Sequence, residues 1–446
     1  MADYLAGRDA PETVNLSRVR SAVDASLDLL ERSYLRVDAD LGGGWYHELA
    51  GPLPGPTATA VGLLSFRMHG RTFEQSDDCL RFLRWRQVSS SVPERRGGWA
   101  TNSSPGHSVA ESTGWIVRML AEGRYFADPS APDLTPATEW LVLNQNDDGG
   151  WGSLLGNPSR VWTTGLSLRA LIRVDPAAAT VNRGVRWLVQ HQHPEGGWGQ
   201  TGVRAPSVTH SAMALISLVE SGRSEADEAI RRGFAWLETR VERTFEEDRN
   251  ARVEMYDVVA GTGDDVQRWR NTLPHYGLPY ALSALLMNPA GSHAELIAGA
   301  VNTLLRTQLS EGRWPSVEGG ETASIWSVFP HMEALVQLIG WRPLGSEDTL
   351  MLLPDAVIVY RGGAHVRTLA ELARMQRRKA IGRVLSRHWV SLLLVLTTVL
   401  GLVGVLVGRF DWKDFGLSVA LPIALLVLQE ARHRTRPVGG GDGSGR

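Results

Sequence analysis

A short string, Gly-Gly-Trp, recurs along the chain and constrains its fold more than any other feature. Two full copies read Gly149-Gly150-Trp151-Gly152 and Gly196-Gly197-Trp198-Gly199, and each follows an apolar stretch that ends in Gln. A third, weaker copy is Gly312-Arg313-Trp314, and in all three copies a Gln precedes the Trp by six residues. Two earlier copies keep only the turn, at Trp45 and Trp99. Self-similarity at a fixed period predicts a repeat architecture before any local pattern is considered.

Each turn lies between two apolar segments, so one repeat reads helix, turn, loop, helix. Residues 17–35 and 57–68, on either side of the first turn, carry apolar residues at helical spacing. From Trp198 to Trp314 the gap is 116 residues, and it holds one more helix pair whose turn is replaced by an insert at 246–274. We therefore predict an all-α fold, an (α/α)6 toroid of six helix pairs with a degenerate fifth pair. Closing the ring leaves no exposed end.

The repeats stop before the C-terminal quarter of the chain. Around Pro354 the residues 350–360 read as strands, and 368–387 reads as a basic helix. We predict a toroid at 1–342 and a connector at 343–388. A membrane region at 389–430 and a disordered tail at 431–446 follow.

The membrane region is predicted from an uncharged run. Residues 389–408 carry no charge, and a helix of about 20 apolar residues crosses the hydrocarbon core. The shorter apolar stretch 415–428 predicts a second span, which would complete a transmembrane hairpin. Basic residues before Trp389 place that side in the cytoplasm. The N-terminus lacks the pattern of a signal peptide, and the single cysteine, Cys79, favours a reducing compartment. We expect a membrane protein whose C-terminal segment contacts the lipid bilayer and whose toroid is cytoplasmic.

The Gln and Gly-x-Trp repeat between paired helices resembles that of the terpene cyclase and protein prenyltransferase superfamily, over roughly residues 17–342. The resemblance implies an inner ring of six helices inside an outer ring, with an isoprenoid or other lipid as the ligand. It does not define the reaction, because a fold can host many functions.

Zinc-dependent members of this superfamily need ligands that the chain lacks. The resemblance places an Asp and a Cys at the start of an inner helix, with a later His. The comparable positions hold Arg160 with Trp162, and Ser207 with Thr209, while Cys79 lies on the apolar face of an outer helix. Lanthionine cyclases, which share the toroid, need two cysteines. We therefore expect no metal and no other cofactor, and the net charge of −2 gives no footprint for nucleic acid.

Class II terpene cyclases, by the same resemblance, use Asp-x-Asp-Asp, whose middle carboxyl protonates an alkene or epoxide. The nearest match is Thr262-Gly263-Asp264-Asp265 in the degenerate fifth repeat. Its first Asp is missing, and the pair precedes the inner helix instead of starting it. We predict Asp264 and Asp265 as catalytic residues, and a Gly-Asp-Asp surface turn is the alternative interpretation.

Other candidates are expected on the inner helices or at their starts. Aromatic side chains there could stabilise a carbocation, although packing or capping is the commoner role of such residues. Ser108 and Glu111 have the spacing of a capping box at one helix start. The predicted substrate-binding residues are Trp115, Trp162, His210, His275, Tyr276 and Trp326.

Three functions fit these residues. The first is a membrane-anchored enzyme that acts on an isoprenoid or other lipid without zinc, with Asp264 as the acid. The second is a catalytically silent toroid that binds a ligand or a protein partner at the membrane, favoured by the missing Asp and zinc ligands. The third is a glycan-active toroid, which needs two carboxylates across a cleft. For that role only Glu111 and the Asp264–Asp265 pair are available.

Overall fold

The structure is a computed structural model that describes residues 12–101, 106–125, 128–202, 204–241, 251–261, 266–288, 294–316, 323–339, 349–353, 356–360 and 364–368. The chain divides into two units, Met1–Arg377 and Arg378–Arg446, and every described residue belongs to the first. The predicted spans at 389–408 and 415–428 and the tail therefore lie outside the described residues. No helix in the described part of the chain is long and apolar enough to cross a bilayer.

Twelve α-helices lie within the described residues, and they alternate between an outer and an inner position. The odd-numbered helices are outer and the even-numbered helices are inner, which confirms the six pairs predicted from the repeat. In chain order they are α1 (Leu16–Arg32), α2 (Pro56–His69), α3 (Ser76–Arg86), α4 (Ala110–Gly123), α5 (Leu134–Leu143), α6 (Val161–Val174), α7 (Ala179–Gln190), α8 (Val208–Ser221), α9 (Asp227–Val241), α10 (Gly277–Leu285), α11 (Ala294–Thr307) and α12 (Ile325–Ile339).

The inner helices form a closed ring. Each of them packs on the next inner helix in chain order, and α12 packs on α2. The outer helices cover this ring, as α7 does by packing on both α6 and α8. In α1 the buried residues Leu16, Val19, Val23, Leu27 and Leu30 recur every three or four positions, which gives one apolar face. In α2, by contrast, every residue from 56 to 66 is buried, as expected of a helix surrounded by others.

The turn tryptophan ties the two helices of its pair together. The indole Nε1 of Trp151 donates to the carbonyl oxygen of Leu141 in α5 at 2.8 Å, and its backbone N–H donates to Thr164 Oγ1 in α6 at 3.0 Å. Gly149 has a φ of +92°, a left-handed conformation that favours glycine. The other four turn tryptophans make the same indole hydrogen bond, to the carbonyls of Leu30, Leu83, Leu188 and Leu304.

The recurring Gln joins one repeat to the next. Gln145 Nε2 donates to Gly149 O in its own turn at 2.8 Å and to Thr180 O in the following outer helix at 2.9 Å. Gln308 Nε2 donates to Ala22 O in α1 at 2.9 Å, so the last repeat is joined to the first. The repeat therefore encodes the closure of the ring. Gln192 makes the same pair of contacts. Gln87 makes them too, although the six-residue spacing did not identify it.

The hydroxyl residues before the inner helices have structural roles. Ser207 is the N-cap of α8, and its hydroxyl accepts a hydrogen bond from the backbone N–H of His210. The capping box predicted for Ser108 and Glu111 is wrong. The N-cap of α4 is Val109, which has no side-chain cap, because the Ser108 hydroxyl donates to a carbonyl of the preceding loop instead.

Eight strands in three antiparallel sheets lie within the described residues, in addition to the helices of the predicted all-α toroid. β1, β6, β7 and β8 form one antiparallel sheet, in which β1 and β6 lie against α11. This confirms the strands predicted at 350–360, whereas Thr368 ends a strand and does not begin the predicted basic helix. The strands are β1 (Glu12–Asn15), β2 (Leu35–Asp38), β3 (Gly42–Gly44), β4 (Ala251–Ala260), β5 (Gln267–Tyr276), β6 (Thr349–Leu353), β7 (Ala356–Tyr360) and β8 (Ala364–Thr368). β2 pairs with β3, and β4 pairs with β5.

Candidate active site

The β4–β5 hairpin covers the N-terminal ends of the inner helices α4, α6 and α8. Side chains alternate across a strand, so Glu254, Tyr256 and Val258 of β4 are buried while Met255 is 61% exposed and Asp257 is exposed. The buried face of the hairpin is largely polar. Directional hydrogen bonds to the ring therefore hold it, together with some apolar packing.

Glu254 is the centre of a buried polar group that we name the Glu254 cluster: Arg160, Ser207, His210, Glu254 and His275. Glu254 Oε1 accepts from Arg160 Nη1 at 2.7 Å. Glu254 Oε2 lies 2.8 Å from His275 Nε2 and 3.1 Å from His210 Nε2. Ser207 Oγ lies 2.7 Å from His210 Nδ1. Two chain-distant helix starts and both strands of the hairpin thus meet at one carboxylate.

The electrostatics of the Glu254 cluster favour an ionised carboxylate beside a neutral His275. Burial raises the pKa of Glu254, but hydrogen bonds from His210 and His275 outweigh burial and hold the pKa far below its usual range. Burial is the main cause that lowers the pKa of His275. Because both Nε2 atoms face one carboxylate oxygen, we assign a proton to each of them. His275 Nδ1 is then an acceptor, and it has no hydrogen-bond partner among the described residues.

Glu111 forms a second, electrostatically different site under the same hairpin. It is the second residue of α4, and its Oε1 accepts hydrogen bonds from the hydroxyls of Tyr256 and Ser153. Burial raises the pKa of Glu111 by more than these hydroxyls lower it. Glu111 Oε2 is buried and has no partner among the described residues. Because Oε1 already accepts two hydrogen bonds, we assign the carboxyl proton to Oε2.

Aromatic side chains follow these polar groups along the inner helices. Trp162 of α6 lies 4.1 Å from the ring of His275 and 5.2 Å from the ring of Tyr280. Trp115 of α4 lies 5.2 Å from Phe329 and 6.5 Å from Trp326, measured between ring centroids. Trp115 is also four residues after Glu111, which places both side chains on one face of α4. The candidate acid therefore lies next to an aromatic layer.

A cycle of alternating charges closes the far side of this layer. We name it the ionic ring. Its consecutive salt bridges join Arg118 to Glu122, Glu122 to Arg173, Arg173 to Glu220, Glu220 to Arg169, Arg169 to Glu333 and Glu333 to Arg118. Glu333 lies on α12 and Arg169 on α6, three positions away around the inner ring, so this bridge crosses the interior. Arg118 follows Glu111 by seven residues, which is about 10 Å along a helix.

The structure brings three of the predicted substrate-binding residues together and separates the others. Trp162, His210 and His275 meet at the Glu254 cluster, while Trp115 and Trp326 form part of the aromatic layer. Tyr276 lies apart from both, since its hydroxyl donates to Ser316 O at 3.0 Å and its ring lies against His331. The predicted catalytic residues Asp264 and Asp265 fall between β4 and β5 in sequence and lie outside the described residues.

Sequence reasoning missed Glu254 and Tyr256, and it gave no role to Arg160. The pattern that could have found them is the insert itself. The run from Ala251 to Ala260 contains three valines and a tyrosine, residue types that favour strands, and a Gly-rich stretch separates it from a second run. Two such runs around turn residues predict a hairpin. Their contacts with α4, α6 and α8 could not be read from spacing alone.

One group within the described residues is suited to hold a metal ion. The ligand atoms of His210, Glu254 and His275 all lie within 4.8 Å of one another, and the three residues are buried. The sequence analysis predicts no metal site. It considers only the helix positions at which the resemblance places zinc ligands, and it does not consider the hairpin. Two imidazoles and a carboxylate are ligands that zinc and iron accept.

Comparison with known proteins gives one partial family match. Residues 110–253 match the squalene-hopene cyclase C-terminal domain. This segment is less than half of the chain, and it includes Glu111, Arg160 and His210. No curated protein matches the chain.

Several solved structures are similar at low sequence identity. The type II terpene cyclase MstE from Scytonema has a TM-score of 0.46 and 15% identity, covering 72% of this chain and 98% of its own. Candida albicans protein geranylgeranyltransferase-I, complexed with GGPP, has a TM-score of 0.41 and 10% identity, covering 73% and 86%. ent-Copalyl diphosphate synthase from Streptomyces platensis has a TM-score of 0.35 and 19% identity, and the match covers 50% of this chain and 42% of its own.

The fold and the site define a closed (α/α)6 ring whose mouth is covered by an inserted hairpin with a polar inner face. The match of residues 110–253 agrees with the superfamily resemblance seen in the repeat. The prediction of a terpene cyclase-like toroid is therefore supported by the repeat geometry and by this segment.

Proposed function

We propose that this chain is an enzyme that protonates an isoprenoid or related lipid, with Glu111 as the general acid. The observation that carries the proposal is Glu111 Oε2, a buried carboxyl oxygen without a partner among the described residues, on a group whose pKa burial raises. A general acid must hold its proton at the working pH, and a dry environment provides this. The squalene-hopene cyclase match, which includes Glu111, supports the class of chemistry.

The surroundings of Glu111 suit a reaction that develops positive charge. Protonating an alkene creates a carbocation, which the face of an aromatic ring attracts. Trp115 lies one helical turn from Glu111, and Phe329 and Trp326 lie beyond it. In the proposed reaction Glu111 gives its proton to the substrate and remains as a carboxylate. The hydroxyls of Tyr256 and Ser153 then stabilise the negative charge, since both already donate to Oε1.

The proposal includes attachment to a membrane. The uncharged residues 389–408 and the apolar residues 415–428 would hold the toroid on the cytoplasmic side of the bilayer. An apolar substrate could then arrive from the lipid phase. Asp264 remains an alternative acid, because its position in sequence, between β4 and β5, connects it to the same hairpin.

The test compares lipid extracts, by mass spectrometry, from membranes that contain the full-length chain and are fed isoprenoid diphosphates and squalene-like hydrocarbons. The variants are Glu111→Gln, Asp264→Asn and the exposed control Glu139→Gln. We expect a new apolar product from the wild type and the control, reduced by at least about 100-fold in Glu111→Gln, since general acids contribute about 10²–10⁴-fold. Loss in Asp264→Asn alone would assign the acid to Asp264 and contradict the role of Glu111.

A silent binding scaffold is the second candidate, and the ionic ring favours it. Glu333 bridges Arg118 and Arg169 across the interior, which fills that level of the ring with charged side chains. A protein that kept the repeat for stability alone could fill its centre in this way. No product from any variant, together with retained folding, would support the scaffold over the enzyme.

A further inference from the structure

We propose that His210, Glu254 and His275 form a binding site for a divalent transition-metal ion of the zinc type. The inference is independent of the acid chemistry of Glu111. It rests on three ligand side chains from three separate elements, the start of α8 and both strands of the hairpin, that converge at one point in the buried mouth of the ring.

The distances are close to those of a coordination site. Zinc binds imidazole nitrogen at about 2.0–2.1 Å and carboxylate oxygen at about 2.0–2.2 Å, so ligand atoms at the corners of a tetrahedron lie about 3.3 Å apart. Glu254 Oε2 lies 2.8 Å from His275 Nε2 and 3.1 Å from His210 Nε2. Small side-chain rotations that widen these distances by a few tenths of an ångström would admit the ion.

Two of the three proposed ligands, His210 and Glu254, have the hydrogen-bond support that metal ligands receive. A ligating histidine commonly uses its other ring nitrogen for a hydrogen bond, and a ligating carboxylate is itself hydrogen-bonded. His210 Nδ1 lies 2.7 Å from Ser207 Oγ, and Glu254 Oε1 accepts from Arg160 Nη1 at 2.7 Å. Each contact uses the atom that coordination leaves free. Arg160 therefore orients the carboxylate without blocking Oε2.

The ligand set also indicates the kind of site. Two histidines and one glutamate are found at catalytic zinc sites, where the fourth position holds water or substrate, whereas structural zinc sites have four protein ligands. The metal would join β4 and β5 to α8, so its binding would stabilise the closed position of the hairpin. Binding to the folded chain alone adds RT ln(1 + [L]/Kd) to stability.

Zinc binding can be measured on the full-length chain, purified in detergent with a tag free of histidine and treated with a chelator. We expect about one zinc ion per chain in a competition titration with a chromogenic chelator. Because a ligand contributes more than the supporting groups that are worth 10–100-fold, His210→Gln, Glu254→Gln and His275→Gln should each weaken binding by at least about 100-fold. Cobalt(II) in place of zinc should give the intense visible absorption of a four-coordinate ion.

The matched control is His107→Gln. His107 also lies at the mouth, and its Nε2 contacts Gln267 of the same hairpin at 3.2 Å, but it touches none of the three proposed ligands. Its zinc affinity should equal that of the wild type. Thermal unfolding without metal tests whether each variant folds. If a variant does not fold, the cobalt spectrum of the wild type still shows whether the chain binds a four-coordinate ion. Zinc binding that survives in Glu254→Gln and His275→Gln, or a cobalt spectrum like that of the aqueous ion, would overturn the proposal and leave a hydrogen-bonded cluster.

Discussion

Replacing Glu333 tests whether the ionic ring holds the inner helices together. The ring contains three arginines and three glutamates, so its formal charge is zero, and all six side chains are largely buried. Glu333→Leu leaves a net charge of +1 and removes the acceptor that Arg118 and Arg169 share. Since Arg118 keeps Glu122 and Arg169 keeps Glu220, neither arginine loses all its partners.

The expected cost is about 3–5 kcal/mol of unfolding free energy, the usual result of removing one partner from a buried ionic group and leaving a net charge uncompensated. For a ring of roughly 300 residues the unfolding entropy is about 0.6 kcal/mol per kelvin, so the melting temperature should fall by about 5–8 °C. Urea unfolding followed by tryptophan fluorescence measures the change. The exposed ion pair of Glu228 and Arg231 supplies the control, and Glu228→Leu should change stability by less than about 1 kcal/mol.

A double-variant cycle separates charge balance from simple loss of packing. Combining Glu333→Leu with Arg118→Leu leaves two arginines and two glutamates, so the net charge of the ionic ring is again zero. Apolar replacement of a buried ion pair often leaves stability unchanged. The double variant should therefore be much more stable than the sum of the two single effects implies. Strictly additive effects, or a single-variant cost within about 1 kcal/mol of the Glu228 control, would refute the role assigned to the ionic ring.

Two further predictions concern the turns and the buried histidines. Gly312→Ala should cost about 3 kcal/mol or more by thermal unfolding, because a Cβ would lie 2.3 Å from the backbone of Ala25 in addition to the strain of a φ of +77°. Gly70→Ala, at the same φ but with no atom within 4 Å, should cost only about 1–2 kcal/mol. Burial lowers the pKa of His331 to about 3. The unfolded chain therefore binds a proton first as pH falls below about 6.5, and stability at pH 5 should be about 2 kcal/mol lower than at pH 8. Urea titrations at both pH values should show this loss, and His331→Phe should make it smaller by about 2 kcal/mol while the contribution of other buried histidines such as His275 remains.

The ring could be predicted from the sequence because the repeat carries its own contacts. Each turn tryptophan bonds the outer helix of its pair and each Gln reaches the next outer helix, so the six-residue spacing records a real geometry. Gln87 escaped notice because its turn is longer, and it stands twelve residues before Trp99. Its contacts with Gly97 O and Asp133 O nevertheless match those of Gln145. A spacing rule fails where a loop changes length, although the hydrogen bonds persist.

The candidate site lies in the repeat that departs from the pattern. The fifth pair lacks the Gly-Trp turn, and the insert that replaces it forms the hairpin over the mouth. That a departure from local regularity marks a functional site is a general expectation, and it directs attention to this repeat. It did not identify Glu254 and Tyr256, because their partners outside the hairpin lie 44 to 145 residues away in sequence.

The two buried carboxyl groups at the mouth explain why roles could not be assigned from sequence. Both Glu111 and Glu254 are desolvated, which by itself raises the pKa of each. Glu254 additionally accepts hydrogen bonds from the imidazoles of His210 and His275, so its pKa falls far below the usual range. Glu111 has two neutral hydroxyls, which do not offset burial. Groups whose environments push their pKa values apart can divide acid and base work between them. The partners that set the sign are brought together only by the folded hairpin, so a carboxylate count in the sequence carries no information about which one holds the proton.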